Sequence, residues 1–127
     1  MSGLESLAPL LLILPIAGFS LTALIGRRLG KQAHWIPVLA IFAVWLVAMA
    51  LVVSVLSGSA PLIPGTEEGG GWEIPLFTWI PAGEFQVDAA MYIDSLTACL
   101  LIVVTTIGLL VHVYSIGYMS HDPGYWR

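Results

Sequence analysis

The chain has 127 residues, of which 58% are hydrophobic and only 9% are charged, a composition too apolar for a soluble domain of this length. Its net charge is -4 with only four basic residues, which excludes nucleic acid as a partner because phosphate binding needs clustered Lys and Arg. The single cysteine, Cys99, excludes an internal disulfide and is expected to be a small core residue.

Three apolar runs are each long enough to cross a hydrocarbon core of about 30 Å as a helix. They cover residues 6–26, 36–56 and 95–114. With their flanks they divide the chain into transmembrane helix 1 (1–26), a basic loop (27–35), transmembrane helix 2 (36–57), an outer loop (58–93), transmembrane helix 3 (94–115) and a cytoplasmic end (116–127). The predicted fold class is an all-α membrane protein with three transmembrane helices.

The basic residues indicate an orientation. Arg27, Arg28 and Lys31 all lie between the first two spans. Because cytoplasmic loops carry an excess of Lys and Arg, this loop is predicted to be cytoplasmic and the amino terminus to be outside. The third span then returns the chain to the cytoplasm, where Arg127 lies.

Small residues on two helices predict where other helices pack, because close backbone approach drives helix association in lipid. The stripe on the second helix consists of Ala40, Ala43, Val47, Ala50, Ser54 and Ser57. The stripe on the third helix is partly polar and consists of Ala98, Thr105, Gly108, His112 and Ser115. Both faces are expected to contact protein.

The outer loop is predicted to contain a β-hairpin. Two short strand-like runs, 76–80 and 85–88, flank a turn-forming stretch at 81–84, after a flexible connection at 58–71. An isolated hairpin is marginally stable, so it is expected to pack on the helices or on a neighbouring subunit. Phe77 and Trp79 are the predicted contacts.

No catalytic, cofactor-binding or metal-binding residue is predicted. His112 is the only ionisable residue at membrane depth, and a structural role is favoured over a proton relay because it lies near the end of its span. Asp94 precedes the third span and is predicted to cap it. The other polar residues that could serve a structural or relay role are Thr105, Tyr114, Ser115 and Tyr118.

A longer pattern begins in the predicted hairpin. It consists of Leu76-Phe77-Thr78-Trp79, Asp94, Leu96, Thr97, Val103-Val104-Thr105, Gly108, His112-Val113-Tyr114-Ser115, Tyr118-Met119, Asp122, Tyr125 and Arg127. In the order and spacing of these residues the chain resembles the amino-terminal part of subunit L of the proton-pumping NADH:quinone oxidoreductase, respiratory complex I, called chain 5 in mitochondria. Ser95 departs from the family, which often has glycine there, and the first two helices match mainly in hydropathy and topology.

The resemblance implies that the three helices are part of a larger antiporter-like bundle in a membrane subunit of an enzyme that couples quinone reduction to proton movement. The family's proton-carrying lysines and glutamate lie on later helices, so none is carried over, and the sequence is expected to be part of a longer chain or the product of a split gene. NADH, FMN, iron-sulfur clusters and quinone are expected elsewhere in the complex. The implied partners are other membrane subunits in a hetero-oligomer and lipids. The implied location is the bacterial plasma membrane, with the mitochondrial inner membrane as the alternative.

Two other functions stay open. A subunit of a multisubunit sodium/proton antiporter would share the ancestral helix pattern. A self-contained three-helix scaffold without a transport role would share the hydropathy alone.

Overall fold

Three long helices and one β-hairpin make up the fold. The structure is a computed structural model that describes residues 5–58, 71–83 and 85–122. The helices are α1 (Leu10–Leu29), α2 (Trp35–Leu56) and α3 (Ser95–Tyr118), with short 3₁₀ turns at Glu5–Leu7 and Gly30–Gln32. The strands β1 (Trp72–Ala82) and β2 (Phe85–Ile93) form an antiparallel pair and come between α2 and α3 in the order of the chain. All three helices are long and apolar enough to span a membrane, so the predicted fold class is confirmed.

The helices and strands differ from the predicted segments at their ends. Helix α1 starts at Leu10 and contains Arg27 and Arg28 in its last turn, although the charge pattern predicts both in the loop. Long basic side chains can end a membrane helix because their charged heads reach water while their stems stay on apolar surface. Helix α3 extends to Tyr118, and the hairpin is longer than predicted at both ends. The predicted flexible connection lies largely outside the described residues.

The central helix is α2, which packs against both α1 and α3. In its most apolar stretch 39% of the residues are buried, against 11% in each of the other two helices. The buried core consists of Ala8, Leu11, Val44, Ala48, Leu51, Val52, Val55, Trp72, Ile74, Ile93 and Ala98. The expectation that Cys99 is a core residue is wrong: α3 turns Ala98 inward, and Cys99 is exposed.

The base of the hairpin packs on the helices. Trp72 pairs with Ile93 across the two strands, and both belong to the buried core. The indole Nε1 of Trp72 donates a hydrogen bond to Ser54 Oγ on α2 at 3.4 Å. We call this end of the bundle, where α2 ends and α3 begins, the hairpin end. The opposite end, where α1 ends with Arg27 and Arg28, is the arginine end.

Two irregularities bend the hairpin beyond its base. Strand β1 has 11 residues and β2 has 9, and the register shifts once between Pro75 and Phe77 and once between Thr78 and Ile80. Leu76 and Trp79 are therefore the extra residues of two β-bulges, which locally increase the twist of a strand. Gly83 adopts a positive φ of 63° at the turn, a conformation that glycine accepts without strain.

Candidate functional site

A groove runs along α2 between α1 and α3. Its section near the hairpin has a volume of about 440 Å³, and residues that line it include Leu11, Ile93, Leu101 and Thr105. Its section toward the arginine end has a volume of about 660 Å³ and is lined by Pro15, Phe19, Thr22, Ala23, Pro37, Ala40, Ile41 and His112. Pro15 and Ile41 line both sections, so these are adjoining parts of one groove, which we call the α1/α3 groove.

His112 lies half-buried on the wall of this groove. Its Nδ1 lies 2.8 Å from the carbonyl oxygen of Gly108. A carbonyl oxygen can only accept, so Nδ1 carries the proton of this bond. Ser115 Oγ donates to the carbonyl oxygen of His112 at 2.8 Å. Both bonds stay within α3, an arrangement that suits a structural role more than a relay between helices.

Asp94 is the N-cap of α3. Its carboxylate accepts a hydrogen bond from the backbone N–H of Thr97 at 2.8 Å. This bond, with a further one from the Thr97 side chain, holds the pKa of Asp94 below its ordinary value because both favour the charged form. The cap satisfies a backbone donor at the start of the helix that has no partner within the helix.

The structure does not gather the predicted polar residues into one site. Asp94 lies at the hairpin end, whereas His112 is 18 residues further along, or about 27 Å at helical rise. Thr105 lies between them, and its hydroxyl donates to the carbonyl oxygen of Leu101. Tyr114 and Tyr118 stack on each other with ring centroids 5.8 Å apart, and both are exposed near the arginine end.

The residues predicted for helix packing differ in burial. Ala98, Thr105 and Ser54 are buried, whereas Gly108 and the three alanines of α2 are half-buried. Those alanines are Ala40, Ala43 and Ala50. The most deeply buried positions of α2 include larger side chains such as Leu51. A single stripe does not describe α2 because this helix is packed on two sides.

Two contacts between helices were not predicted. A Cβ atom at Gly18 of α1 would lie 2.6 Å from the Cβ of Ala40, so glycine at this position permits the close approach of α1 and α2. Trp45 Nε1 donates to Thr106 Oγ1 at 3.1 Å and thereby joins α2 to α3. The sequence offers a hint of each, namely a glycine inside an aliphatic run and an indole N–H within a span, which needs a partner in lipid.

The far part of the hairpin is exposed and apolar. Phe77 and Trp79 are 59% and 66% exposed and stack with ring centroids 6.2 Å apart. The residues that form this surface, which we call the hairpin tip, are Phe77, Trp79, Ile80, Phe85 and Val87. Trp72 and Ile93 at the base make the contact with the helices, so a contact of Phe77 and Trp79 with a neighbouring subunit stays a prediction.

Residues 5–58, 71–83 and 85–122 contain no cluster of side chains that could bind a metal ion. Within these ranges no three His, Cys, Asp or Glu residues lie close enough together to hold an ion.

Comparison of the chain with known proteins identifies relatives in one family. The family model described as NADH-ubiquinone oxidoreductase (complex I), chain 5 N-terminus, matches residues 79–127. NADH-quinone oxidoreductase subunit L of Mycobacterium tuberculosis (strain ATCC 25618 / H37Rv) is 36% identical over 114 residues, which cover 90% of this chain and 17% of that subunit. The chain is a homologue of complex I subunit L. The resemblance predicted from the sequence is confirmed.

Other subunit L relatives extend the similarity over almost the whole chain. NADH-quinone oxidoreductase subunit L of Rickettsia bellii is 34% identical over 123 residues, covering 97% of this chain and 18% of that subunit. NAD(P)H-quinone oxidoreductase chain 5 of Synechocystis is 35% identical over 124 residues, covering 98% of this chain and 18% of the relative. The chain thus spans less than a fifth of the length of the subunit L relatives that it matches.

Proposed function

We propose that the chain is the amino-terminal part of an antiporter-like, proton-translocating subunit L, and that it supports redox-coupled proton pumping by an NADH:quinone oxidoreductase. The observation that carries this proposal is the 34% identity with a subunit L over 97% of the chain. In this role the three helices support proton-carrying helices elsewhere in the bundle. NADH, FMN, iron-sulfur clusters and quinone bind to other parts of the enzyme, and the membrane is the bacterial plasma membrane.

The exposed apolar surfaces support the assembly that this role requires. Buried residues are few in α1 and α3, and large apolar side chains cover their outer faces. The hairpin tip adds an exposed apolar surface at the hairpin end of the bundle. Exposed patches of this kind mark sites of protein contact, and we assign the tip to a neighbouring membrane subunit.

The test is purification of the tagged protein from its native membranes in mild detergent. We expect flavin-containing and iron-sulfur subunits in the same complex, and loss of NADH-driven proton transport in membrane vesicles when the gene is deleted. Co-purification with antiporter subunits alone would favour the sodium/proton antiporter. A stable oligomer of this protein alone would favour the scaffold.

Within this subunit we assign His112 a structural role. Replacing His112 with Gln keeps an N–H donor on the wall of the groove, and we expect normal assembly and normal proton pumping. His112→Leu removes the donor and is expected to lower the amount of assembled complex. A His112→Gln variant that assembles normally but no longer pumps protons would assign His112 to the proton path instead.

A further inference from the structure

We propose that the α1/α3 groove, in its section toward the arginine end, binds the acyl chain of an anionic phospholipid whose phosphate lies near Arg27 and Arg28. Three observations carry this proposal: the apolar lining of the groove, its unsuitability for another helix, and the positive charge at its end.

The first observation is the chemistry of the lining. Carbon atoms of Pro15, Phe19, Ala23, Pro37 and Ile41 form most of the wall. Two polar groups on it, the Thr22 hydroxyl and Nδ1 of His112, are bonded to carbonyl oxygens of their own helices at 2.7 Å and 2.8 Å. An unfilled groove would leave its lining atoms without dispersion contacts on one side. In a bilayer, acyl chains are the solvent available to fill it.

The second observation distinguishes an acyl chain from another helix. Helices associate in lipid through small residues that let backbones approach and through hydrogen bonds between helices. The α1/α2 contact uses such a pair, Gly18 against Ala40. The groove between α1 and α3 instead has an uneven wall, on which the bulky side chains of Phe19 and Ile41 stand beside small ones such as Ala23. The hydroxyl of Thr22 is committed to Gly18 and so is a poor partner for a second helix. A flexible chain can follow this uneven wall better than a rigid helix.

The third observation is the charge at the end of the groove. Ala23 lines the groove, and Arg27 follows four residues later on the same face of α1. Arg28 is its neighbour, and both lie in the last turn, where the helix leaves the hydrocarbon core. Basic residues at the membrane surface attract anionic headgroups. A lipid whose tail occupies the groove therefore brings its phosphate within reach of this pair.

The test uses two adjacent substitutions in α1, made in the full protein within its native complex. Ala23→Phe places a ring in the groove, whereas Leu24→Phe changes a side chain that is 77% exposed and outside the groove lining. Lipid retained after graded detergent washing is measured by mass spectrometry. We expect Ala23→Phe to retain about tenfold less of one phospholipid, because the ring takes the space of the acyl chain and removes its dispersion contacts, and Leu24→Phe to match the unmodified protein.

A second variant tests the headgroup without changing the packing of the groove. Arg28→Gln is expected to lower the preference for phosphatidylglycerol over phosphatidylcholine about fivefold in lipid exchange from mixed vesicles. Equal lipid retention by the two Phe variants would overturn the proposal. The proposal would also be overturned if Ala23→Phe assembled poorly and the fraction that did assemble kept its lipid unchanged, because a protein helix would then occupy the groove. An unchanged preference in Arg28→Gln would overturn the headgroup assignment. The measurement is bound lipid and not NADH oxidation, so its failure would leave the proposed function standing.

Discussion

Close approach at a single glycine joins α1 to α2. Adding a methyl group at Gly18 would place it 2.6 Å from the Cβ of Ala40, whereas carbon atoms in contact normally lie about 3.5–4.0 Å apart. The helices must therefore separate or shift to accept any larger residue. Neither helix shows this requirement alone, because the spacing of small residues does not say which of them faces which partner.

For Gly18→Ala we expect a loss of about 1–3 kcal/mol in the free energy of unfolding, the usual cost of overpacking. Unfolding by a denaturing detergent measures this loss. Adding Ala40→Gly to that variant should recover much of it by removing the clashing methyl group. The control is Gly117→Ala in α3, where an added Cβ meets no atom within 4 Å. Equal losses at both glycines would contradict the assigned contact.

The cap at Asp94 predicts a pH dependence at the start of α3. Hydrogen bonds from Thr97 lower the pKa of Asp94 in the folded protein. The stabilisation is therefore complete above the ordinary pKa of about 3.9 and is lost as the pH falls through the lower, folded value. Hydrogen exchange at the Thr97 amide, corrected for its intrinsic rate, should show reduced protection under strongly acidic conditions.

The matched control for this prediction is Asp94→Asn. Asparagine also caps helices but does not titrate, so protection at Thr97 should then be insensitive to acid. An identical acid response in the two proteins would show that another group is responsible. The position of Asp94 directly before an apolar run was enough to predict the cap, because capping depends on residues only three positions apart.

At the scale of elements, the sequence located the hairpin but not its limits. The predicted turn at 81–84 is recognisable because its Pro and Gly have local conformational preferences, although β1 continues to Ala82. The strands extend to Trp72 and Ile93 because these residues bury side chains against the helices, a contact made by parts of the chain distant in sequence. The bulges at Leu76 and Trp79 follow from the same pairing and leave no clear pattern in the sequence.

Substitutions of two tryptophans of β1 should distinguish the role of the hairpin in the stability of the chain from its role in assembly of the complex. Trp72 is 2% exposed, so Trp72→Ala is expected to cost about 3–5 kcal/mol in the free energy of unfolding. Trp79 is exposed on the hairpin tip, so Trp79→Ala should leave that energy almost unchanged and reduce the yield of assembled complex on native gels. Normal assembly of Trp79→Ala would remove the support for the tip as a contact with a neighbouring subunit.

At the scale of the whole molecule, hydropathy was sufficient to predict three spans because each forms from one continuous run. The α1/α3 groove could not be predicted, because its walls come from helices that are not consecutive and its shape depends on how both lie against α2. The end of α1 also differs from the prediction, since Arg27 and Arg28 were predicted in the loop but belong to the last turn of the helix. Their charge predicts that this end of the bundle faces the cytoplasm.

The predicted orientation can be tested by labelling cysteines in intact cells. In a Cys99→Ser background, Thr78→Cys in β1 and His121→Cys after α3 place single thiols at exposed positions near opposite ends of the bundle. With the amino terminus outside, a membrane-impermeant maleimide should label Thr78→Cys directly and His121→Cys only after the membrane is opened. The reverse pattern would invert the topology, and the Cys99→Ser parent controls for background labelling.

The central position of α2 has a consequence for biogenesis. Its main contacts are with the helices that precede and follow it in the chain, so α1 and α2 can pair before α3 has been synthesised, and α3 can add to the finished pair. The surroundings of Trp72 are different. The buried core that contains Trp72 also includes Ala8 just before α1, Val55 of α2 and Ala98 of α3, so it draws on all three helices. Burial of this indole should therefore be among the last steps of insertion. In a variant that keeps Trp72 as the only one of the five tryptophans, its fluorescence would report the moment at which the three helices have come together.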